Sequence, residues 1–175
     1  TCKVAASFGA KGVIVHGGSV GEGGDISVGY DNWRKALEHV EDTGMRVLVE
    51  NTAGGKNSVA RYMDSIERLW EVIGHLNVGL CLDTCHTWAG GIPTIDAVKG
   101  FKKLVKKIDL IHFNDSKDGF ESSRDRHENL GKGKIPKEEL EYVIKNAKTD
   151  IIVETPNGPD AQKKDIAWIK RRLKK

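Results

Sequence analysis

Five short apolar runs recur along the chain: GVIVH (12–16), RVLVE (46–50), VGLCLD (78–83), IDLIHF (108–113) and DIIVE (150–154). Each is nearly continuous in Val, Ile and Leu, the pattern of a parallel strand covered on both faces. Between them, apolar positions recur at helical spacing. DNWRKALEHVED (31–42) sets Trp33, Ala36, Leu37 and Val40 on one stripe. NSVARYMDSIERLWEVIG (57–74) does the same with Val59, Met63, Ile66, Leu69 and Ile73, and Gly74 stops it. TIDAVKGFKKLVKKI (94–108) starts at a Thr cap, and IPKEELEYVIKNA (135–147) carries Pro136 where a first helical turn tolerates it. A last helix is predicted over roughly 160–173. Alternation of this kind implies right-handed βαβ units. TCKVAASFGAKG (1–12) reads as the last turns of a helix running into a glycine stop; with Thr1 where an initiating Met would stand, further sequence upstream is expected.

The ends of the five runs share a property that packing alone does not ask for. They finish on His16, Glu50, Asp83, His112 and Glu154, all metal-binding residue types, at spacings of 34, 33, 29 and 42 residues. In a parallel barrel all such strand ends meet at one face, which is where active sites form. Any single polar end is explained by solvent; five of five restricted to His, Asp and Glu is not. The longest connection, NDSKDGFESSRDRHENLGKGK (114–134), adds Asp125 and His127. Residues two apart in an extended segment point to the same side. With His86 they make a further set of two imidazoles and a carboxylate, donors that suit Zn²⁺, or Mn²⁺ less tightly. His39 and His75 fall within or at the end of helical patterns and are read as surface residues without a role.

Composition narrows the rest. With 175 residues, 38% hydrophobic, 30% charged and a net charge of +3, the chain reads as one soluble globular domain over 1–175. Much of the basic excess sits in KKDIAWIKRRLKK (163–175), the solvated face of a helix, so it permits a nucleic-acid partner without requiring one. No apolar run is long enough to span a membrane. Three cysteines fit a reducing, cytoplasmic setting, and Cys81 and Cys85 lack the second pair that a zinc finger needs, which leaves buried free thiols. GGSVGEGGDISVGY (17–30) matches no phosphate loop; most of its glycines read as a flexible connection, with close approach of a ligand permitted just after His16.

The stretches VENTAGG (49–55), CLDTCHTWAGG (81–91), HFNDSK (112–117), DRHENLGKG (125–133) and VETP (153–156) resemble the endonuclease IV family of apurinic/apyrimidinic (AP) endonucleases, in that family's order. The resemblance implies a (β/α)8 TIM barrel, of which this chain supplies about the C-terminal five units. It also implies three zinc ions at the C-terminal face. His16 would serve the first ion, Glu50 would be shared by the first and second and would be the catalytic carboxylate, and Asp83, His112 and Glu154 would complete the second. His86, Asp125 and His127 would hold the third. A further histidine of the family's first site has no match here. The implied activity is hydrolysis of the phosphodiester 5′ to an abasic site in double-stranded DNA, leaving a 3′-hydroxyl and a 5′-deoxyribose phosphate. The complete protein is expected to be a monomer, with Lys117, Arg124, Arg126, Lys132 and Lys134 as DNA phosphate contacts.

Two other readings stand beside it. Glu50, Asp83, His112 and Glu154 alone would fit the one-metal site of a sugar isomerase or epimerase of the xylose isomerase-like barrels. His16, His86 and the Asp125/His127 pair would then have no use. A barrel fragment that binds DNA without cutting it is the second.

Overall fold

The computed structural model describes residues 1–174; residue 175, the end of the expected domain, lies outside the described residues. Seven strands and seven α-helices follow in the order α1 (Cys2–Ser7), β1 (Val13–His16), α2 (Ile26–Val40), β2 (Val47–Glu50), α3 (Met63–Ile73), β3 (Val78–Asp83), α4 (Thr84–Gly90), α5 (Thr94–Val105), β4 (Leu110–His112), β5 (Asp115–Ser116), β6 (His127–Glu128), α6 (Lys137–Ala147), β7 (Asp150–Ile152) and α7 (Gly158–Leu173). The five apolar runs form one parallel sheet in sequential order, β1-β2-β3-β4-β7, and β5 and β6 make a separate antiparallel ribbon. This is five strands' worth of a parallel barrel.

Its register decides where the polar ends go. The ladder aligns His16 with Glu50, Glu50 with Cys81, Asp83 with His112, and His112 with Ile152. From one polar end to the next the offset is therefore zero or two residues. An even offset preserves the face to which a side chain points, so all five project from the same side of the sheet. The opposite parity (Val47, Val49, Leu80, Leu82, Ile111 and Phe113) joins Leu69, Ile73, Phe101 and Leu140 in the core between sheet and helices. Full burial of a Leu or Phe there contributes roughly 1.5–3 kcal/mol, which anchors each strand with its polar end facing away from the helices.

Several element boundaries depart from the sequence pattern. The helix expected from 31 starts at Ile26, because Asp25 caps it by accepting from the Ser27 amide at 2.9 Å. The helix expected from 57 starts at Met63: Gly55 and Asn57 adopt positive φ, and Ser58 instead bridges to Ser19 of the glycine-rich loop. Thr94 is not a cap but the first helical residue, and its amide and hydroxyl both reach Glu139 Oε2 at 2.7 Å. Pro136 sits at the cap position of α6 rather than in its first turn. The last strand ends at Ile152, so Glu154 lies beyond the ladder. Full cover of both strand faces holds for β2 and β3 but fails for the outer strands, where Val15 is 41% and Ile152 45% exposed, since each has one neighbour only. No helix of the described residues is long and apolar enough to cross a membrane.

The glycine-rich loop after β1 is held rather than loose. Asn57 Nδ2 donates to the Gly21 and Gly24 carbonyls at 3.0 and 2.9 Å, and the Val59 amide donates to the Gly18 carbonyl at 2.9 Å. The close approach at Gly17 is to protein: a Cβ there would lie 2.2 Å from the Ala60 Cβ. Gly17→Ala is therefore expected to lower the unfolding free energy by about 1–3 kcal/mol through overpacking. Urea denaturation checks this, and an unchanged midpoint would show that the two loops do not meet this closely.

Candidate metal centre

Glu50 closes β2 and is 3% exposed. Its two carboxylate oxygens face different partners. Oε2 lies 3.3 Å from His16 Nε2, while Oε1 lies 3.0 Å from His112 Nδ1 and 3.4 Å from His86 Nδ1. His112 Nδ1 is also 3.1 Å from Glu154 Oε2. Donor atoms of Glu50, Asp83, His112 and Glu154 fall within 4.8 Å of one another. A second set is built on Asp125, whose Oδ1 is 3.1 Å from His86 Nε2 and 3.2 Å from His127 Nε2. The third, His16 with Glu50 and His86, lies at the open side, where the His16 side chain is 59% exposed.

The hydrogen bonds of the imidazoles distinguish these sets. His86 Nδ1 is 2.9 Å from the Asn51 carbonyl oxygen. Donation to that carbonyl leaves Nε2 as the lone-pair atom, the usual way a ligating histidine is oriented. His127 Nδ1 stands likewise 3.3 Å from the Glu154 carbonyl. Both Nε2 atoms are buried and make no hydrogen bond of good geometry, although each lies 3.1–3.2 Å from Asp125 Oδ1. The three donor atoms lie within 4.8 Å of one another, close enough to share one ion, and the residues fit a cation there. His86 belongs by this geometry to the Asp125–His127 set, since its Nδ1 is already committed to Asn51.

Charge supports the same conclusion. Burial opposes charging of His86, yet Asp83, Asp125 and Glu50 outweigh it and push its pKa up to about 10. His112 and His127 are raised against the same burial penalty, chiefly by the adjacent Glu50 and Asp125 carboxylates respectively. The His127 and His86 imidazoles in turn hold the Asp125 carboxyl far below the usual range. Four carboxylates this close demand positive charge, from protons or from cations. Cys81 and Cys85 also approach these sets, but burial and the neighbouring carboxylates raise both thiols, Cys85 to about 12. They are buried free thiols, as expected.

Asp83 has a second task that periodicity hides. Its Oδ1 accepts from the His86 amide at 2.8 Å and caps α4, a seven-residue helix absent from the sequence reading. An apolar strand does then have a structural reason to end on aspartate here. The Asp83 cap and the Gly90-Gly91 stop were the available signals; seven residues are too few to display a helical stripe. The other carboxylate oxygen, Oδ2, accepts from Asn114 Nδ2 at 2.7 Å, and Asn114 Oδ1 accepts from the Glu154 amide at 2.9 Å. Asn51 holds the backbone of Asp83 from the other side, with bonds of 2.8 and 3.1 Å. Neither asparagine was singled out from the sequence, since an amide beside a strand end carries no periodic signal.

The long connection is partly ordered as the β5–β6 ribbon, which places His127 opposite Ser116. Asp115 fastens it by accepting from the amides of Ser116, Gly131, Gly133 and Ile135 at 2.8–3.1 Å. Asp125 lies just before the ribbon and does share a point with His127, as the two-residue spacing anticipates. Lys117, Arg124, Arg126, Lys132 and Lys134 all lie on this segment, and none lines the cavity at the metal centre. Asp118 holds Arg126 through Nε at 2.6 Å and lies 3.7 Å from Arg124 Nη1. His39 and His75 are exposed, away from the cluster.

Because β7 pairing stops at Ile152, the Asn114 amide replaces a ladder bond for Glu154 while orienting Asp83. Asn114→Ala removes both bonds. Its expected effect is a drop in divalent-metal affinity of about 10–100-fold, the usual loss when a ligand-orienting group is removed. Zn²⁺ titration against a competing chelator measures it, and parental affinity in the variant would show that Asp83 and Glu154 are placed without Asn114.

The family described as xylose isomerase-like TIM barrel matches residues 1–172. A curated relative called probable endonuclease 4, from Mycobacterium tuberculosis, is 49% identical over 172 residues, covering 98% of this chain and 67% of its own length. The crystal structure of endonuclease IV from Thermus thermophilus superposes with a TM-score of 0.79 at 29% identity, covering 99% of this chain and 65% of that one. A D-tagatose 3-epimerase-like protein shares the fold, with a TM-score of 0.74 at 20% identity and coverage of 99% and 66%. The chain spans about two thirds of the length of these proteins. The parallel sheet with its ligand-bearing strand ends, the family match and the level of identity agree: this chain belongs to the xylose isomerase-like TIM barrel family and, within it, to the endonuclease IV family.

Proposed function

We propose that this protein is a zinc-dependent AP endonuclease of DNA base excision repair. It would hydrolyse the phosphodiester 5′ to an abasic site in double-stranded DNA, leaving a 3′-hydroxyl and a 5′-deoxyribose phosphate. The observation that carries this reading is the division of the Glu50 oxygens between His16 and His112, beside a separate His86–Asp125–His127 set. A centre for phosphodiester hydrolysis has to manage charge on the attacking, bridging and leaving oxygens, and several adjacent cation sites serve that purpose. Glu50 and His16 would hold the first ion; Glu50, Asp83, His112 and Glu154 the second; His86, Asp125 and His127 the third. Bound there, Zn²⁺ (or Mn²⁺) would lower the pKa of water and neutralise charge on the phosphate.

The chain's own groups supply position. The carboxylate of Glu50 is held rigidly by burial and by the His112 contact at 3.0 Å, so the sites on either side keep a fixed separation. The exposed His16 leaves the cluster open to a phosphate approaching from solvent. Lys117, Arg124, Arg126, Lys132 and Lys134 would contact backbone phosphates, which orients a duplex without reading its sequence. Selectivity for an abasic site would come from shape, because a missing base lowers the cost of kinking the duplex and turning the nucleotide out. The epimerase alternative uses only the four-donor set around Asp83. It leaves the buried Nε2 atoms of His86 and His127, which make no hydrogen bond of good geometry, without a purpose.

Glu50→Gln keeps the volume and one oxygen but removes the charge shared between two cation sites. In the full chain, kcat on a duplex with one tetrahydrofuran abasic analogue should fall by at least about 10²-fold, comparable to losing a preorganised electrostatic stabiliser. Binding of the same duplex should change far less. Near-parental cleavage by Glu50→Gln at full metal loading overturns this role for Glu50, and a parent that epimerises sugars and nicks no DNA overturns the nuclease reading itself.

A further inference from the structure

A cavity of about 610 Å³ lies next to the metal centre. It opens between α2, the loop of residues 51–62 and the start of α3. Ser58 lines both this cavity and the smaller one that holds His16, His86 and Asp125. The two spaces are therefore the two sides of one ridge, residues 54–58.

The chemistry of its lining is that of an anion site. Arg61 is fixed by neutral partners: Nε donates to the Gly90 carbonyl at 3.1 Å, and Nη2 donates to Ser123 Oγ at 2.8 Å. Its guanidinium also lies 4.7 Å from the Tyr62 ring centre. None of these contacts neutralises it. Arg68 is exposed at the cavity wall and forms no ion pair among the described residues. Lys56 is paired with Glu22, and Asp64 is the remaining carboxylate, so three cations face two anions. The most specific feature is Tyr30. It is 8% exposed, lines the cavity, and its hydroxyl has no hydrogen-bond partner among the described residues. Burial raises its pKa, the Arg68 charge acts to lower it and the Asp64 carboxylate to raise it. A buried tyrosine normally finds a partner for its hydroxyl. Here the hydroxyl opens on the cavity, where water or a ligand oxygen can be that partner.

We infer that this cavity binds a backbone phosphate of the DNA strand whose scissile phosphodiester lies at the metal centre, with Tyr30 and Arg68 as its direct contacts and Arg61 as a fixed charge behind them. The inference rests on the nuclease reading above. The cations predicted from sequence lie on the segment after β4 and none of them lines this cavity, so the substrate would be held by two separate sets of groups. Arg61 joins the two spaces, since Ser123, its hydrogen-bond partner, lines the metal-centre cavity.

The test measures binding of an abasic-analogue duplex to the full chain in chelator, as a function of KCl, for the parent, Arg68→Gln, Tyr30→Phe and the charge-matched control Lys170→Gln. One phosphate contact carries a slope of about 0.9 in log affinity against log salt, so Arg68→Gln should flatten the slope by about 1 and weaken binding about 3–10-fold at moderate salt. Tyr30→Phe should weaken binding about 2–5-fold, in line with loss of one hydrogen bond to a charged group, and leave the slope unchanged. Both variants should keep the parental kcat at saturating DNA and the parental melting temperature. Should Arg68→Gln prove less stable, Tyr30→Phe decides alone. Affinities and slopes equal to the parent and to Lys170→Gln, with cleavage intact, overturn the phosphate site and leave the nuclease reading standing. A parent that neither binds nor nicks the abasic duplex overturns the nuclease reading, and this inference falls with it.

Discussion

The site depends on the parity of the parallel ladder. Because polar strand ends differ in register by zero or two residues, His16, Glu50, Asp83 and His112 leave the sheet from one face, and Glu154 follows two residues past the last ladder pair. A slip of one residue in any strand would turn its polar end into the helix-packed core. The same parity sends Val47, Val49, Leu80, Leu82, Ile111 and Phe113 against the helices. Burial of those side chains is thus what selects the register, and the face that carries the candidate ligands is its consequence. Folding energy from the apolar side positions chemistry on the polar side.

Crowding of carboxylates and imidazoles at one sheet end is costly unless each group is satisfied. The structure meets that cost with neutral amides. Asn51 pairs with both backbone groups of Asp83 and accepts at its own carbonyl from His86, while Asn114 ties Asp83 to Glu154. These bonds also decide which imidazole nitrogen is left to bind. The unsatisfied groups that remain include Nε2 of His86 and of His127, the atoms that face Asp125. Thr52 Oγ1 is similarly without a partner, and the structure offers no physical account of it.

Loops around the cluster are ordered by each other more than by the sheet. The glycine-rich loop is stitched to residues 57–60, and the segment after β4 is gathered around the Asp115 carboxylate. Gly133 is part of that gathering: a Cβ there would lie 2.3 Å from Asp115 Oδ1. Such cross-bracing suits an open site that receives a large substrate, because the walls need no closing motion to acquire their shape. It also explains how an exposed residue such as Asp125 can be held close to His86 and His127.

Parallel strands, intervening helices and the residue types at the strand ends were legible in the sequence alone, because buried strands and amphipathic helices repeat with short periods that apolar side chains must obey. Five of the eight candidate metal ligands were legible for the same reason, as strand ends, and His86, Asp125 and His127 from their spacing and the motifs shared with endonuclease IV. Features made by single bonds between distant segments were not. The Asp83 cap and the short α4, the start of α3 at Met63, and the capture of Thr94 by Glu139 each depend on local backbone geometry or a few specific hydrogen bonds that override a pattern. The roles of Asn51 and Asn114, the choice of nitrogen on His86, and the meeting of Tyr30 with Arg68 across one cavity required the chain to be folded. They arise from residues far apart in sequence, and no periodicity encodes which of them will touch.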